Sequence, residues 1–458
     1  MRVVVIGGGI SGLAAAWALS DRADVLVLEA SPQVGGKLRV DEVAGLPVDV
    51  GAEAMLARRP EGVELARAAG LADSLIAPLT TSARIRAGGA SHPMPVRTML
   101  GIPGDVGALR ASGVLSDSGL STVEGEAVGP LMAPLTEDVA VGRFVRDRLG
   151  AEVVDRLVEP LLGGVYAGRA DELSLRATMP ALAARLAAGG ASLVAAAGEV
   201  TGSAQSDAPV FASLAGGLGR LPLALAESGR FGVRTGVTVR AIRRTGTGFA
   251  LACGPVPASE LVEADAVIVA TPPAKAARLL SDVAPTAGAE LSTVDTASMA
   301  IITLAYRDVT LPTGSGLLVA SGEGMRVKAV TLSSQKWPGT PDGLAVLRAS
   351  VGRVGENVDM QRDDDDLIAL VRHELRTLIG VDARPIDARV TRWGGGLPQY
   401  AVGHVEKVAR IRAAVARVPG LAVCGAAYDG VGIPACIAAA RLAAGQVLLS
   451  AAPASRGQ

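Results

Sequence analysis

The apolar positions at the start of the chain alternate between strand-like and helix-like runs. Arg2–Ile6 is a short Val- and Ile-rich run that reads as a buried parallel strand. It passes straight into Gly7, Gly8, Gly9, Ile10, Ser11 and Gly12, and residues 13–19 then read as a helix. Residues 25–28 form a second apolar run, closed by Glu29 and Ala30. Further on, Pro60 suits the first turn of a helix reaching Ala69. Residues 82–101 predict short strands and turns, so a second lobe begins near residue 76. Gly, Ser and Pro punctuate residues 111–134, which are expected to be loop. Residues 141–162 keep a period near 3.6 and predict one helix, ended by the glycine run 163–168.

In the second half, residues 197–209 read as mobile and residues 211–222 as a return to helix. Residues 234–242 alternate as a strand, and 264–270 form a buried strand. Residues 297–390 fit a mixed sheet with helices, Asp363 to Asp366 complementing the dipole of one of them. Residues 391–404 read as a third glycine-rich turn. Residues 421–424 read as a strand, 425–434 as a second glycine loop entering a helix, and 436–449 as that helix.

Composition narrows the reading. At 458 residues two or three lobes are expected, and with aromatics at only 2% their cores must be filled by Ala, Val and Leu. A net charge of −1 excludes a general attraction to nucleic acid or anionic membrane, so an anionic substrate must be held by local cations. Five of the 44 basic residues are Lys, and that arginine bias points to a GC-rich genome. Three cysteines without a C-x-x-C pair predict a reducing cytoplasm, no disulfide framework and no metal site. The N-terminus lacks the pattern of a signal peptide, and no run of 18 apolar residues is found. Peripheral membrane contact and oligomeric state stay open.

The glycines carry the chemistry. Gly7, Gly9 and Gly12 have the G-x-G-x-x-G spacing: a tight turn, a backbone that can approach a pyrophosphate, and a close helix–strand contact. Glu29 stands where a carboxylate takes both ribose hydroxyls and disfavours a 2′-phosphate. Gly35, Gly36 and Lys37 add bare backbone and one cation near the pyrophosphate, an extension that shifts the expected cofactor from NAD to FAD. Gly51, Ala52, Glu53 and Ala54 are positioned to lie against a flavin ring. Tyr166, set among Gly163, Gly164 and Gly168, suggests backbone approaching something flat. The helix N-terminus after Val431, Gly432 and Ile433 would stabilise negative charge on a reduced ring.

Taken together these motifs resemble the oxygen-dependent protoporphyrinogen/coproporphyrinogen oxidases of the FAD-dependent amine-oxidase superfamily. The resemblance rests on the N-terminal fingerprint with Glu29, Gly35-Gly36-Lys37, Asp49 to Glu53, Arg59-Pro60 and the stretch 163–168. It continues through Trp393, Leu397 to Tyr400, Gly403-His404 and Tyr428 to Pro434 with Cys436-Ile437. Lys37 stands where the family usually has Arg, and Ala427 where a polar side chain is more common.

The resemblance implies an α/β fold: a discontinuous Rossmann-like FAD-binding domain (1–75, 213–290, 392–458) and a mixed-sheet substrate domain (76–212, 291–391) with a helical lobe at about 105–205. It implies six-electron oxidation of a porphyrinogen, coproporphyrinogen III before protoporphyrinogen IX, with O2 as acceptor, and product hand-over to ferrochelatase. It adds Val239 and Trp393 to the cofactor contacts. Arg59, Arg97, Gly164, Tyr166 and Gly168 are the expected substrate contacts. No side-chain base is assigned, because orientation and flavin electronics can carry the rate. The rival readings are an amine or carotenoid oxidase of the same fold, which the scarcity of aromatic cage residues disfavours, and a non-catalytic escort protein, which the intact glycine loops disfavour.

Overall fold

The structure, a computed structural model, describes residues 1–202 and 209–451. Its centre is a five-stranded parallel sheet in the order Gly232–Arg234, Asp24–Leu28, Arg2–Ile6, Ala266–Val269, Leu421–Val423. Strands buried on both faces need no polar alternation, and Val3, Val4 and Val5 are fully buried. One face is covered by the helices Ile10–Leu19 and Ile433–Ala451, with Pro60–Ala68 and Arg220–Glu227 beside them. Ala14, Ala15 and Ala16 share this core with Ala439, Ala440, Ala443 and Ala444, and such small side chains let helices approach closely. Leu13 and Leu19 are fully buried there, each worth roughly 1.5–3 kcal/mol of transfer energy. The other face carries the antiparallel strands Val239–Arg244, Phe249–Cys253 and Glu260–Ala264, together with the helices Pro273–Leu280, Pro285–Ser292 and His404–Ala416.

A seven-stranded mixed sheet stands beside this unit, in the order Asp387–Pro398, Thr296–Arg307, Leu344–Val351, Val327–Thr331, Gly316–Val319, Ala83–Ala87, Ala90–Pro93. The helix Asp364–Ile379 packs on one face through Leu367, Val371, Leu375 and Leu378. A helical lobe with its own core is built around Val145, Leu157, Leu162, Leu182 and Tyr400.

Several expectations change. Residues 111–134 are loop only in part: helices run over Val106–Ser112 and Asp117–Val128, and 113–116 and 129–134 are irregular as expected. Two of the residues read as punctuation are caps, since Ser116 accepts from Gly119 N and Gly113 closes the first helix at φ +62°, which Asp105 opens by accepting from Ala108 N. The single helix expected over 141–162 is interrupted. Gly150 takes φ +85°, a π turn follows at Val154–Val158, and the helix Glu159–Tyr166 runs on through Gly163 and Gly164. The glycines therefore lie inside the helix, and Ala167 at φ +49° caps it.

The stretch read as mobile is helical as far as Gly202, and residues 203–208 lie outside the described residues. Residues 211–214 form a strand, Phe211–Leu214, held between Met55–Leu56 and Leu75–Ile76. The strand expected over 234–242 is two strands, Gly232–Arg234 and Val239–Arg244. Residues 391–398 are not a turn. The strand Asp387–Pro398 pairs with Thr296–Arg307 on either side of an irregularity, and Gly394, Gly395 and Gly396 fall in it: Gly395 takes φ +57° and its N donates to Ser298 Oγ at 3.0 Å. The last helix meets the length and mean hydropathy of a membrane span over Ile433–Ser450, but 56% of that window is buried in the protein.

Candidate active site

The first glycine loop closes as its spacing requires. Gly7 takes φ +110° and a Cβ there would lie 2.8 Å from Ala270 O, while at Gly12 it would lie 1.9 Å from Gly7 O. Gly9 differs, because a Cβ there would meet nothing nearer than Gly36 Cα at 4.0 Å. Gly36 itself takes φ +58°, and Gly35 N donates to Gly8 O at 2.8 Å. Ile10, Ser11 and Gly12 form the buried first turn of the helix.

Glu29 ties this loop to the second strand's end. Its Oε2 accepts from Gly8 N at 2.6 Å, and its Oε1 accepts from Ser31 N at 2.7 Å and Ser31 Oγ at 2.6 Å. Ala30 beside it is exposed. Val237 N donates to Glu29 O at 2.9 Å, which brings the buried Val239 to the same end of the sheet.

The second glycine loop meets the first. Gly425 would present a Cβ 4.0 Å from Ser11 Oγ, and Cys424 Sγ lies 3.9 Å from Ser11 O. The parallel sheet explains this convergence. Arg2–Ile6 and Leu421–Val423 flank the same strand, Ala266–Val269, so both loops leave the same edge. Cys436 packs near Lys37: burial raises its thiol pKa, opposed by a hydrogen bond with Ser11 and by the Lys37 charge. Burial lowers the Lys37 ammonium in turn. Val431 packs on the core of the helical lobe and Ile433 in the core beside the first helix, so the loop between them spans two bodies. Gly432 has no neighbour closer than Pro434 Cδ at 3.9 Å.

Lys37, Gly51, Ala52 and Trp393 form one cluster. Ala52 N donates to Lys37 O at 3.0 Å, and Trp393 Nε1 donates to Val50 O at 3.0 Å. The Arg39 guanidinium lies 5.1 Å from the Trp393 ring centre, and a Cβ at Gly51 would be 3.1 Å from Trp393 Cζ2. Glu53 is committed elsewhere, to Lys336 Nζ at 2.6 Å and Arg348 Nη1 at 2.7 Å. Burial would raise its carboxyl, but the two cations hold it down at about 2. A cofactor contact at Glu53 or the half-buried Ala54 therefore falls to backbone.

Tyr166 is buried, its ring 5.4 Å from that of Tyr400, which stacks in turn on His404 at 4.0 Å. Burial pushes the Tyr166 phenol up to about 12, and burial followed by Lys407 brings His404 down to about 4. Gln399 Nε2 donates to Tyr166 O at 2.8 Å, and Tyr400 OH donates to Ala426 O at 2.6 Å. Gly168 is explained by Gln399, because a Cβ there would lie 2.1 Å from its Oε1. Gly164 has only Leu318 Cδ2 near, at 3.8 Å. The stretch 163–168 is thereby brought against Gln399 and Tyr400, and Tyr400 in turn reaches the second glycine loop at Ala426. Gln399, Tyr400 and His404 had no role assigned from sequence, and their positions as polar or aromatic residues following a glycine-rich strand were the available signal.

The two arginines expected at the substrate are not brought into this cluster. Arg59 sits at the N-cap of Pro60–Ala68, exposed and paired with Glu61 at 2.5 Å. Arg97, at φ +55°, is exposed and paired with Asp105 at 3.4 Å. Among the described residues, neither hydrogen-bonds to Lys37, Tyr166 or Trp393.

Gly9 and Gly432 keep space that no side chain of this chain uses, next to two helix N-termini at one sheet edge, and the acid Glu29 lies beside the first. That set fits an adenine dinucleotide carrying a second ring system, so the fold and site define a flavin-dependent oxidoreductase. The chain belongs to the family of flavin-containing amine oxidoreductases, which matches residues 10–448, and its cofactor is FAD. It is 38% identical over 452 residues to the coproporphyrinogen III oxidase of Mycobacterium tuberculosis (strain H37Rv), covering 97% of this chain and 96% of that one. It is 30% identical over 491 residues to the protoporphyrinogen oxidase of Bos taurus, covering 97% and 98%. A solved structure from Exiguobacterium sp. 255-15, provisionally named as a protoporphyrinogen oxidase, superposes with a TM-score of 0.86 at 32% identity over 98% of both chains.

Proposed function

We propose that this protein oxidises coproporphyrinogen III to coproporphyrin III in haem biosynthesis, with three O2 reduced to three H2O2. The observation that carries this reading is the near full-length identity to a coproporphyrinogen III oxidase. The link from the stretch 163–168 to the second glycine loop through Gln399 and Tyr400 supports it. FAD, when bound, supplies the two-electron acceptor and its reoxidation by O2.

The residues of this chain bind and orient. Gly7, Gly8, Gly9, Ile10, Ser11 and Gly12 hold the pyrophosphate at the helix N-terminus. Glu29 and Ala30 hold the ribose, and Val239 lies at the adenine end. Gly36 and Lys37 lie beside the pyrophosphate, Gly51, Ala52, Glu53, Ala54 and Trp393 border the ring, and Val431, Gly432 and Ile433 present backbone N–H groups and a helix dipole to it. Gly164, Tyr166 and Gly168 border the macrocycle, with Arg59 and Arg97 toward its propionates.

We assign a FAD-binding domain (1–75, 213–290, 392–458), which holds the parallel sheet, and a substrate domain (76–212, 291–391), which holds most of the seven-stranded sheet. The reaction belongs in the cytoplasm with product passed to ferrochelatase, and any membrane contact is peripheral, since the apolar last helix is needed in the core.

A second reading, oxidation of protoporphyrinogen IX, is favoured by the solved structure with a TM-score of 0.86. Anaerobic reduction of the bound flavin by each porphyrinogen in turn separates the two. Faster bleaching by coproporphyrinogen III is expected, and no bleaching by either would end the proposal.

A further inference from the structure

We infer that Lys328 and Arg353 form an anion site on the face of the seven-stranded sheet turned toward the helix Glu159–Tyr166, and that it receives a carboxylate of the tetrapyrrole. This deepens the porphyrinogen reading and rests on it.

Lys328 lies at an irregularity of the sheet. The register between Val327–Thr331 and Leu344–Val351 shifts between Val327 and Ala329, leaving Lys328 without a partner of its own. Bulges of this kind re-aim a side chain. Val327 and Val330 pack into the core under Asp364–Ile379, whereas Lys328 is 5% exposed and has Arg353 and Glu356 as its charged neighbours. Its Nζ has no hydrogen-bond partner among the described residues, and neither has the buried Nε of Arg353.

The nearby acids do not supply one. Glu356 is turned to Arg169 at 3.7 Å, and Glu159 accepts from Ala170 N at 2.7 Å. Burial raises the Glu159 carboxyl, opposed by the Ala170 hydrogen bond and the Arg353 charge. Asp171, a third acid near Glu159, is paired with Arg146 at 3.2 Å, and Lys328 Nζ and Arg353 Nε are the two buried donors of this cluster left over among the described residues. An unpaired buried ammonium is costly, and such groups are retained where they serve a site. Burial first, and then Arg353, lower the Lys328 ammonium to about 7, and an anion placed between the two would restore its charge.

The site borders the substrate contacts of the proposed function. Val354, next to Arg353, donates to Ala167 O at 2.8 Å, one residue beyond Tyr166. Leu318, on the neighbouring strand, faces Gly164. Arg59 and Arg97, by contrast, are exposed and already paired.

The test uses the FAD-loaded full chain and two probes, coproporphyrin III and its tetramethyl ester, whose affinities are read by fluorescence quenching. Lys328→Met and Arg353→Gln are each expected to weaken the tetra-acid at least about tenfold, as loss of a charge-assisted hydrogen bond should, while leaving the ester unchanged. Lys328→Arg should retain most of the acid affinity. In turnover, the KM for coproporphyrinogen III should rise with kcat held. Equal losses for acid and ester, or no loss of acid binding, overturns the site. A fall in kcat at constant KM also overturns it, in favour of proton transfer by Lys328. Wild-type protein that binds neither probe would sink the porphyrinogen reading itself, a result distinct from failure of the variants alone. If Lys328→Met does not fold, Arg353→Gln carries the same comparison.

Discussion

Arg348 Nη1 lies 2.7 Å from Glu53 Oε2, joining a strand of the mixed sheet to the segment that follows the hairpin beside the dinucleotide loops. Lys336 completes the arrangement from the other side at 2.6 Å. Removing the acid leaves two largely buried cations unneutralised. Glu53→Gln is expected to cost about 3–5 kcal/mol of stability, the range for breaking a buried pair on one side. Denaturant unfolding measures this, and an effect below about 1 kcal/mol would show that the cations find other partners.

The same carboxylate sets an acid limit. Its folded pKa is depressed from 4.5 to about 2, so its contribution is present above pH 4.5 and is lost as pH falls from there toward 2. Asp49 acts with the opposite sign. Burial, opposed by hydrogen bonds from Leu218 N and Gly219 N, raises it to about 6, so its contribution is full below about pH 3.8 and is lost as pH rises through 6. Unfolding followed at fixed temperature from pH 7 to 3 should therefore show Asp49→Asn most stabilising, relative to wild type, at the neutral end. The Glu53→Gln penalty should shrink toward the acid end.

Two glycines of one motif should respond differently. Gly12→Ala drives a Cβ to 1.9 Å from Gly7 O and is expected to disrupt folding with or without cofactor. Gly9 has extended backbone and open space, so Gly9→Ala should fold normally yet bind FAD at least about tenfold more weakly, because the methyl occupies room kept for phosphate. Flavin titration of the apoprotein, with thermal unfolding as control, decides it. Unchanged affinity would remove Gly9 from the cofactor site.

Gly168→Ala should destabilise the junction with the helical lobe by about 1–3 kcal/mol, because the methyl meets Gln399 Oε1. Pairing it with Gln399→Ala should restore part of that loss, giving a coupling of at least about 0.5 kcal/mol in a double-mutant cycle. Strict additivity would mean that the two residues do not share the contact.

Arg97→Ala should change stability by less than about 1 kcal/mol, since its pair with Asp105 is exposed. If Arg97 reaches a propionate, the KM for coproporphyrinogen III rises more than kcat changes, and an unchanged KM excludes it.

The first 29 residues could be read without a structure because each part depends on near neighbours. A strand, a three-glycine turn, a helix and a second strand ending in Glu29 lie within one local unit, and the turn's geometry is set by backbone sterics. The same holds for Asp363 before its helix and for Pro60 at the start of another. The failures share a different cause. Gly394 to Gly396 are carried within a strand, as its bulge, because the residues on either side of them pair with Thr296–Arg307, nearly a hundred residues earlier. Within 111–134, Asp117–Val128 is a helix because Ser116 caps it, and composition alone does not separate a cap from a loop.

The sequence by itself determined the strand–glycine turn–helix–strand unit closed by Glu29, because glycine spacing and an acid at a strand end are local features of the chain. Only the tertiary structure decided that Glu53 is spent on Arg348 and Lys336, that Tyr166 packs on Tyr400, and that Lys328 Nζ and Arg353 Nε are among the buried donors left unpaired in the described residues. Partners of charged side chains are chosen across the fold, where burial removes water as the alternative, and no spacing along the chain records that choice.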